Sequence, residues 1–145
     1  MTTITQRPAL WRHLPAWLVF GLCWLVARLP YRLLLALGRG LGWLFKRAFK
    51  SRRRVIDRNI SACFPGLSMK EQQQLVNQNY RETGMMVTQT LRTFLRTKDP
   101  IISQLEIKGG QHLQQAIERQ QGVLLVSGHF TALDGGGRAV CENFP

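Results

Sequence analysis

The sequence predicts an α/β fold preceded by a membrane-anchor helix, and three features of its 145 residues lead to this prediction. Residues 14–27 form an apolar run without a charged side chain. Residues 69–97 have apolar side chains every three to four positions, which is typical of a helix with one buried face. After residue 103, short apolar segments alternate with a polar helical one, which favours a parallel sheet covered by helices.

The N-terminal segment predicts a membrane anchor. The uncharged run at residues 14–27 is short for a bilayer span, but residues 9–29 reach the required length if the flanking arginines extend to the lipid headgroups. Residues 33–45 are apolar but interrupted by Gly38-Arg39-Gly40, so we interpret them as an amphipathic helix in the membrane interface. The basic side chains expected to face lipid phosphates are Arg28, Arg32, Arg39, Lys46 and Arg47. A cleaved signal peptide is the alternative, although no small-x-small cleavage motif follows the run.

The formal net charge of +12 is distributed unevenly along the chain. Residues 1–58 contain twelve Lys and Arg against one acidic residue, whereas residues 59–145 contain eight against seven. Because most of the basic residues follow the apolar run, the positive-inside rule places the next domain on the cytoplasmic side. These charges are interleaved with Trp and Leu and do not form a charged soluble face, so we expect no nucleic-acid partner.

Local signals divide the remaining chain into elements. Phe64-Pro65-Gly66 ends a basic helix. Ser68 and Glu71 form a capping box, which predicts a helix from about Met69 to Thr97. We expect a membrane anchor and interfacial helix in residues 1–49, a helical basic linker region in residues 50–100, and the start of an α/β catalytic domain in residues 101–145.

The predicted sheet has two strands, residues 105–108 and residues 123–127, with a short helix at residues 112–120 between them. Two parallel strands do not make a stable core alone. The sequence therefore looks cut short, and we expect the chain by itself not to turn over substrate.

His129 and Asp134 follow the predicted strand at residues 123–127, where the chemistry of open α/β sheets collects. Their spacing allows contact only if His129 lies in a turn and Asp134 in the first turn of a helix. Asp134 would then orient one ring nitrogen of His129, while the other takes a proton from a hydroxyl. Backbone N–H groups at the helix start would stabilise an oxyanion. The pair suits acyl transfer to a hydroxyl, although such spacing also arises by chance.

Four segments in this order resemble the bacterial lauroyl/myristoyl acyltransferases of lipid A biosynthesis. They are the Trp-rich N-terminal segment, SRRRVIDRNISACFP at residues 51–65, Glu82-Thr-Gly84-Met85, and GVLLVSGHFTALDGGGR at residues 122–138. The resemblance covers nearly the whole chain and corresponds to about the first half of a family member.

The resemblance implies transfer of a fatty acyl chain from acyl-acyl carrier protein to a hydroxyl of a lipid A precursor, at the cytoplasmic face of the bacterial inner membrane. The catalytic H-x4-D/E motif of this family maps onto His129 and Asp134. This chain has Asp at the position where Glu is common in the family. The resemblance implies that Arg138 binds substrate. The alternative interpretation is that Arg138 is an ordinary surface arginine. No metal or cofactor is expected, and acyl carrier protein is the partner that delivers the co-substrate.

Two other interpretations remain open. A related glycerolipid acyltransferase shares the His/Asp chemistry, but the Asn59-x-x-x-Cys63-Phe64-Pro65 segment favours the lipid A enzymes. A noncatalytic membrane-anchored fragment is the second alternative. The three cysteines are widely spaced and odd in number, which favours neither a disulfide framework nor a zinc site.

Overall fold

The computed structural model describes residues 13–144, and the regular secondary structure in that range is helical. Seven helices occur there: α1 (Leu14–Ala27), α2 (Tyr31–Ala48), α3 (Lys50–Cys63), α4 (Met69–Leu95), α5 (Pro100–Ser103), α6 (Gly110–Glu118) and α7 (Leu133–Asn143). The long helix α4 contacts α1, α2, α3 and α7 and therefore organises the fold.

The start of α4 confirms the predicted capping box. Ser68 Oγ accepts a hydrogen bond from the Glu71 backbone N–H, and Glu71 Oε2 accepts one from the Ser68 backbone N–H at 2.8 Å. These bonds pair N–H groups that a helix leaves without an internal partner. The predicted break at residues 64–66 is also confirmed, because α3 ends at Cys63 and α4 begins at Met69.

Helices α2 and α4 approach so closely that their contact requires glycine. Gly38 and Gly42 lie one turn apart on α2 and face Gly84 of α4. A Cβ atom added to Gly38 would lie 2.6 Å from Met85 Cα, and one added to Gly84 would lie 2.8 Å from Gly42 Cα. The two backbones are therefore in direct contact, and Gly38 and Gly42 form part of the packing face of α2.

A buried ion pair joins three parts of the fold near the C-terminal end of α4. The guanidinium of Arg92 donates to both carboxylate oxygens of Asp99, at 2.6 and 2.7 Å, and to the backbone carbonyl of Leu29 at 3.1 Å. Asp99 also caps α5 by accepting from the Ile101 N–H. Because Leu29 lies between α1 and α2, this pair connects α4 to that turn and to α5.

The predicted α/β fold is wrong, since residues 13–144 contain no β-strand. The segments predicted as strands, residues 105–108 and 123–127, are irregular and do not pair with each other. Leu124 and Val126 are 86% and 87% exposed. A strand is stable only when its N–H and C=O groups bond to a neighbour, and an apolar run does not provide that partner.

The predicted membrane span is also wrong for the part of the chain that the structure describes, where no helix is long and apolar enough to cross a bilayer. The 14 residues of α1 extend about 21 Å at 1.5 Å each, less than the hydrocarbon core of about 30 Å. The predicted span continued to residue 29, but α1 ends at Ala27, and Pro30 caps the start of α2. Residues 9–12 of that prediction lie outside the described residues.

Candidate active site

The two residues of the predicted catalytic pair flank the start of α7. His129 lies in the irregular segment before the helix, and Asp134 lies in its first turn. This is the placement that a contact between residues five positions apart requires. The acidic side chain is also favourable at this position, because the N-terminal end of a helix has a partial positive charge.

The carboxylate of Asp134 is held by α4. Thr90 Oγ1 donates a hydrogen bond to Asp134 Oδ2 at 2.6 Å, and both groups are partly buried. Since one oxygen of the carboxylate accepts from Thr90, Oδ1 remains available for another donor. The bond fixes the position of Asp134 relative to the longest helix of the fold.

His129 is exposed, and within residues 13–144 no hydrogen bond joins it to Asp134. Its segment has only local bonds, such as that from the Phe130 N–H to the Gly128 carbonyl at 3.0 Å. The structure therefore brings the two residues to the same end of α7 without showing them in contact. A rearrangement of the residues around His129 would be needed to close the pair.

A cavity of about 140 Å³ lies beside Asp134, between α4, α5 and the start of α7. Its polar wall includes Thr90, Thr131, Asp134 and Asp99, and its apolar wall includes Ile102. Burial raises the pKa of Asp99, but hydrogen bonds from Arg92 and from the Ile101 N–H outweigh this effect and hold the pKa below its ordinary value. Asp99 is therefore a structural anion at the cavity wall, already paired with a cation.

Backbone N–H groups at the start of α7 are suited to bind an anion. The Leu133 N–H donates to the Phe130 carbonyl at 3.1 Å, and the first helical bond is that from Gly136 to Ala132. In the described part of the chain, the N–H groups of Asp134 and Gly135 donate to no backbone carbonyl outside the helix. Such groups can stabilise an oxyanion that forms in the adjacent cavity.

Arg138, predicted from the resemblance to bind substrate, fastens α7 to the C-terminal end of α4. Its guanidinium donates to Glu142 Oε1 and to three backbone carbonyls in the last turn of α4 and the two residues after it. These carbonyls belong to Thr93, Arg96 and Thr97. The contacts occupy four of the five N–H donors of an arginine and hold α7 against the end of α4. Its role in substrate binding stays a prediction.

Thr90 is the residue that the sequence did not indicate. It lies 44 positions before Asp134, and no spacing rule connects residues that far apart. In the sequence, Thr90 is only a threonine within a long predicted helix, and many surface threonines share that property. The Arg92–Asp99 pair likewise depends on the path of the chain between α4 and α5.

Comparison with known proteins defines the class. The family model described as bacterial lipid A biosynthesis acyltransferase matches residues 5–143. The chain therefore belongs to the bacterial lipid A biosynthesis acyltransferase family, as its motifs predict. No solved structure matches it.

Three curated relatives show the range of similarity. The chain is 34% identical over 137 residues to the lipid A biosynthesis lauroyltransferase of Escherichia coli K12, covering 94% of this chain and 44% of that protein. It is 29% identical to the lipid A biosynthesis palmitoleoyltransferase of the same organism, covering 89% of this chain and 42% of that protein. A lipid A biosynthesis acyltransferase of Haemophilus influenzae is 28% identical, with the same coverage. The chain thus spans less than half the length of these relatives.

Proposed function

We propose that the protein with this sequence transfers a fatty acyl group from acyl-acyl carrier protein to a hydroxyl of a lipid A precursor. The observation that supports this most directly is the placement of Asp134, which Thr90 holds at a cavity beside the first turn of α7. Membership of the lipid A acyltransferase family supports the class of acceptor. The reaction would take place at the cytoplasmic face of the bacterial inner membrane, and the proposal requires no metal or cofactor.

In the proposed reaction, one ring nitrogen of His129 takes the proton of the acceptor hydroxyl while its oxygen attacks the thioester carbonyl. Asp134 Oδ1, which Thr90 does not occupy, accepts a hydrogen bond from the other ring nitrogen and stabilises the imidazolium. The carbonyl oxygen becomes an oxyanion that accepts from the Asp134 and Gly135 N–H groups. Collapse of this intermediate forms the ester and breaks the C–S bond, and His129 returns the proton to the leaving thiolate.

The size of the cavity limits what it holds. About 140 Å³ accommodates a few molecules of water, each with a share of about 30 Å³ in the liquid. The cavity is therefore large enough for the reacting hydroxyl and carbonyl but not for a complete fatty acyl chain. We infer that the acyl chain and the sugar of the acceptor lie outside it.

The experiment is a measurement of acyl transfer from acyl-acyl carrier protein to a lipid A precursor, made with a protein that contains this sequence and has the full length of its relatives. His129→Ala should lower the rate at least about a hundredfold, the effect of losing a general base. Asp134→Asn should lower it comparably, whereas Asp134→Glu, which keeps the carboxylate, should retain much more activity. His112→Ala is the matched control, because His112 is exposed on α6 and should leave the rate unchanged. Near-normal transfer by His129→Ala would remove the chemical basis of the proposal.

A further inference from the structure

A second cavity, of about 370 Å³, lies where α2 passes into α3. Its lining consists of Trp43, Lys46, Arg47, Lys50 and Arg53. Four of these five side chains are cationic, and none of them lines the cavity beside Asp134. The proposed acyl-transfer chemistry therefore does not account for this cluster.

The cationic side chains around this cavity are mostly not paired with carboxylates. Lys46 Nζ donates to the neutral side chain of Asn77, and the guanidinium of Arg47 lies 3.6 Å from the centre of the Trp43 ring. Among the described residues, the one ion pair of the cluster joins Arg53 to Asp57 at 3.7 Å. Like charges gathered around one cavity repel each other, and a bound anion would relieve that repulsion.

The donor set fits a phosphate group. Arginine presents a planar fork of N–H donors to phosphate oxygens, and lysine adds a compact positive charge. The volume of the cavity is ample for a phosphate and its first substituent.

The surroundings of the cavity favour a lipid over a soluble phosphate. Trp43, Leu44 and Phe49 are 58%, 51% and 52% exposed beside the basic side chains. An amphipathic surface of this kind matches the boundary between the headgroups and acyl chains of a bilayer. We propose that this cavity binds the phosphate of a membrane-lipid headgroup, with the three apolar side chains entering the lipid interface.

The test is cosedimentation of the purified chain with vesicles of phosphatidylcholine that contain phosphatidic acid. A double variant, Arg47→Gln with Lys50→Gln, should bind about thirtyfold more weakly, since each basic residue near an anionic surface contributes about fivefold. The matched control, Lys108→Gln with Arg119→Gln, removes the same charge from exposed positions that do not line the cavity and should change binding less than about threefold. The single variant Lys50→Gln, expected to lose about fivefold, keeps the test valid if the double variant folds poorly.

Three outcomes would overturn the proposal. Equal losses in the two double variants would show diffuse attraction of charge to the vesicle and no defined site. Equal binding to vesicles whose negative charge comes from oleate carboxylates would remove the preference for phosphate. Calorimetric binding of inorganic phosphate by a chain that does not sediment with the vesicles would exclude a lipid as the source of the phosphate.

Discussion

Thr90 Oγ1 lies 2.6 Å from Asp134 Oδ2, and this hydrogen bond connects α4 to the proposed catalytic carboxylate. One turn further along α7, Arg138 donates to carbonyls at the C-terminal end of α4. Residues four apart on a helix share a face, so the two sets of bonds hold the same face of α7 against α4. The position of Asp134 is therefore determined by α4 rather than by the segment that contains His129.

Replacement of Thr90 by Val should lower acyl transfer about tenfold. A hydrogen bond to a charged group contributes about 1.5–3 kcal/mol. Because the bond from Thr90 to Asp134 is only partly buried, we expect an effect near the lower value. A change of about 1.5 kcal/mol in the barrier corresponds to about a tenfold change in rate. The loss should occur in kcat, because Thr90 positions Asp134 and is not proposed to bind the acyl donor. Steady-state kinetics with acyl-acyl carrier protein would measure it.

Thr90→Ser is the control, because it keeps the hydroxyl that donates to Asp134. It should retain the wild-type kcat within about threefold, a difference below 1 kcal/mol in the barrier. If Thr90→Val and Thr90→Ser have the same kcat, the hydrogen bond does not position the carboxylate for catalysis.

Gly84→Ala should destabilise the fold by about 1–3 kcal/mol or more, the cost of adding a group to a well-packed contact. The new Cβ would meet backbone atoms of Gly38 and Gly42, which cannot move aside without separating α2 from α4. Urea denaturation followed by circular dichroism would measure the change in the free energy of unfolding.

Gly40→Ala is the matched control on α2, since a Cβ at Gly40 meets nothing within 4 Å. Alanine is favoured over glycine inside a helix by about 0.5–1 kcal/mol, so this variant should be as stable as the wild type or slightly more stable. Equal destabilisation by both substitutions would contradict a glycine-dependent contact between α2 and α4.

The sequence predicted elements with local signals more successfully than contacts between distant residues. The start of α4 was correct because Ser68 and Glu71 bond to each other's backbone within one turn. The break after Cys63 was correct because Pro65 and Gly66 act locally. The contact of Gly38 with Gly84 was missed, since nothing within α2 indicates which helix its glycines face.

The same distinction explains the errors. The run at residues 123–127 was correctly recognised as apolar, but strand pairing depends on a partner elsewhere in the chain. The apolar character of α1 was also correct, but its length depends on where Pro30 begins the next helix. At the candidate site, the sequence placed Asp134 in the first turn of a helix, whereas the bond from Thr90 depends on the packing of α7 on α4. The catalytic role of His129 and Asp134 stays a prediction.

Backbone amides at residues 123–127 should exchange with solvent at nearly the rate of an unstructured peptide. Within the described residues, none of these amides donates a backbone hydrogen bond, and the apolar side chains of the segment are largely exposed. Amides of α4 from Val76 to Arg92 should exchange slower by roughly a thousandfold, because their opening requires loss of the packed helices. Hydrogen exchange read by mass spectrometry compares the two segments directly, and strong protection at residues 123–127 would show that a strand forms there.

The ion pair between Arg92 and Asp99 should make stability depend on acid pH. The pKa of Asp99 is lowered in the folded chain, against the effect of burial, by hydrogen bonds from Arg92 and from the Ile101 N–H. A lowered carboxyl pKa stabilises the fold fully above the ordinary value of about 3.9, and this contribution is lost as pH falls from there through the folded pKa.

Asp99→Asn should cost about 3 kcal/mol at pH 7, because it leaves the buried Arg92 without a counter-charge. Urea denaturation between pH 7 and pH 3 would measure the free energy of unfolding of the wild type and of Asp99→Asn. The difference between the two should be constant down to about pH 4 and shrink below it. Glu118→Gln, at an exposed position on α6, controls for the general effect of removing a carboxylate and should differ little from the wild type at any pH. A difference for Asp99→Asn that stays constant down to pH 3 would mean that the carboxylate does not titrate with the loss of this pair.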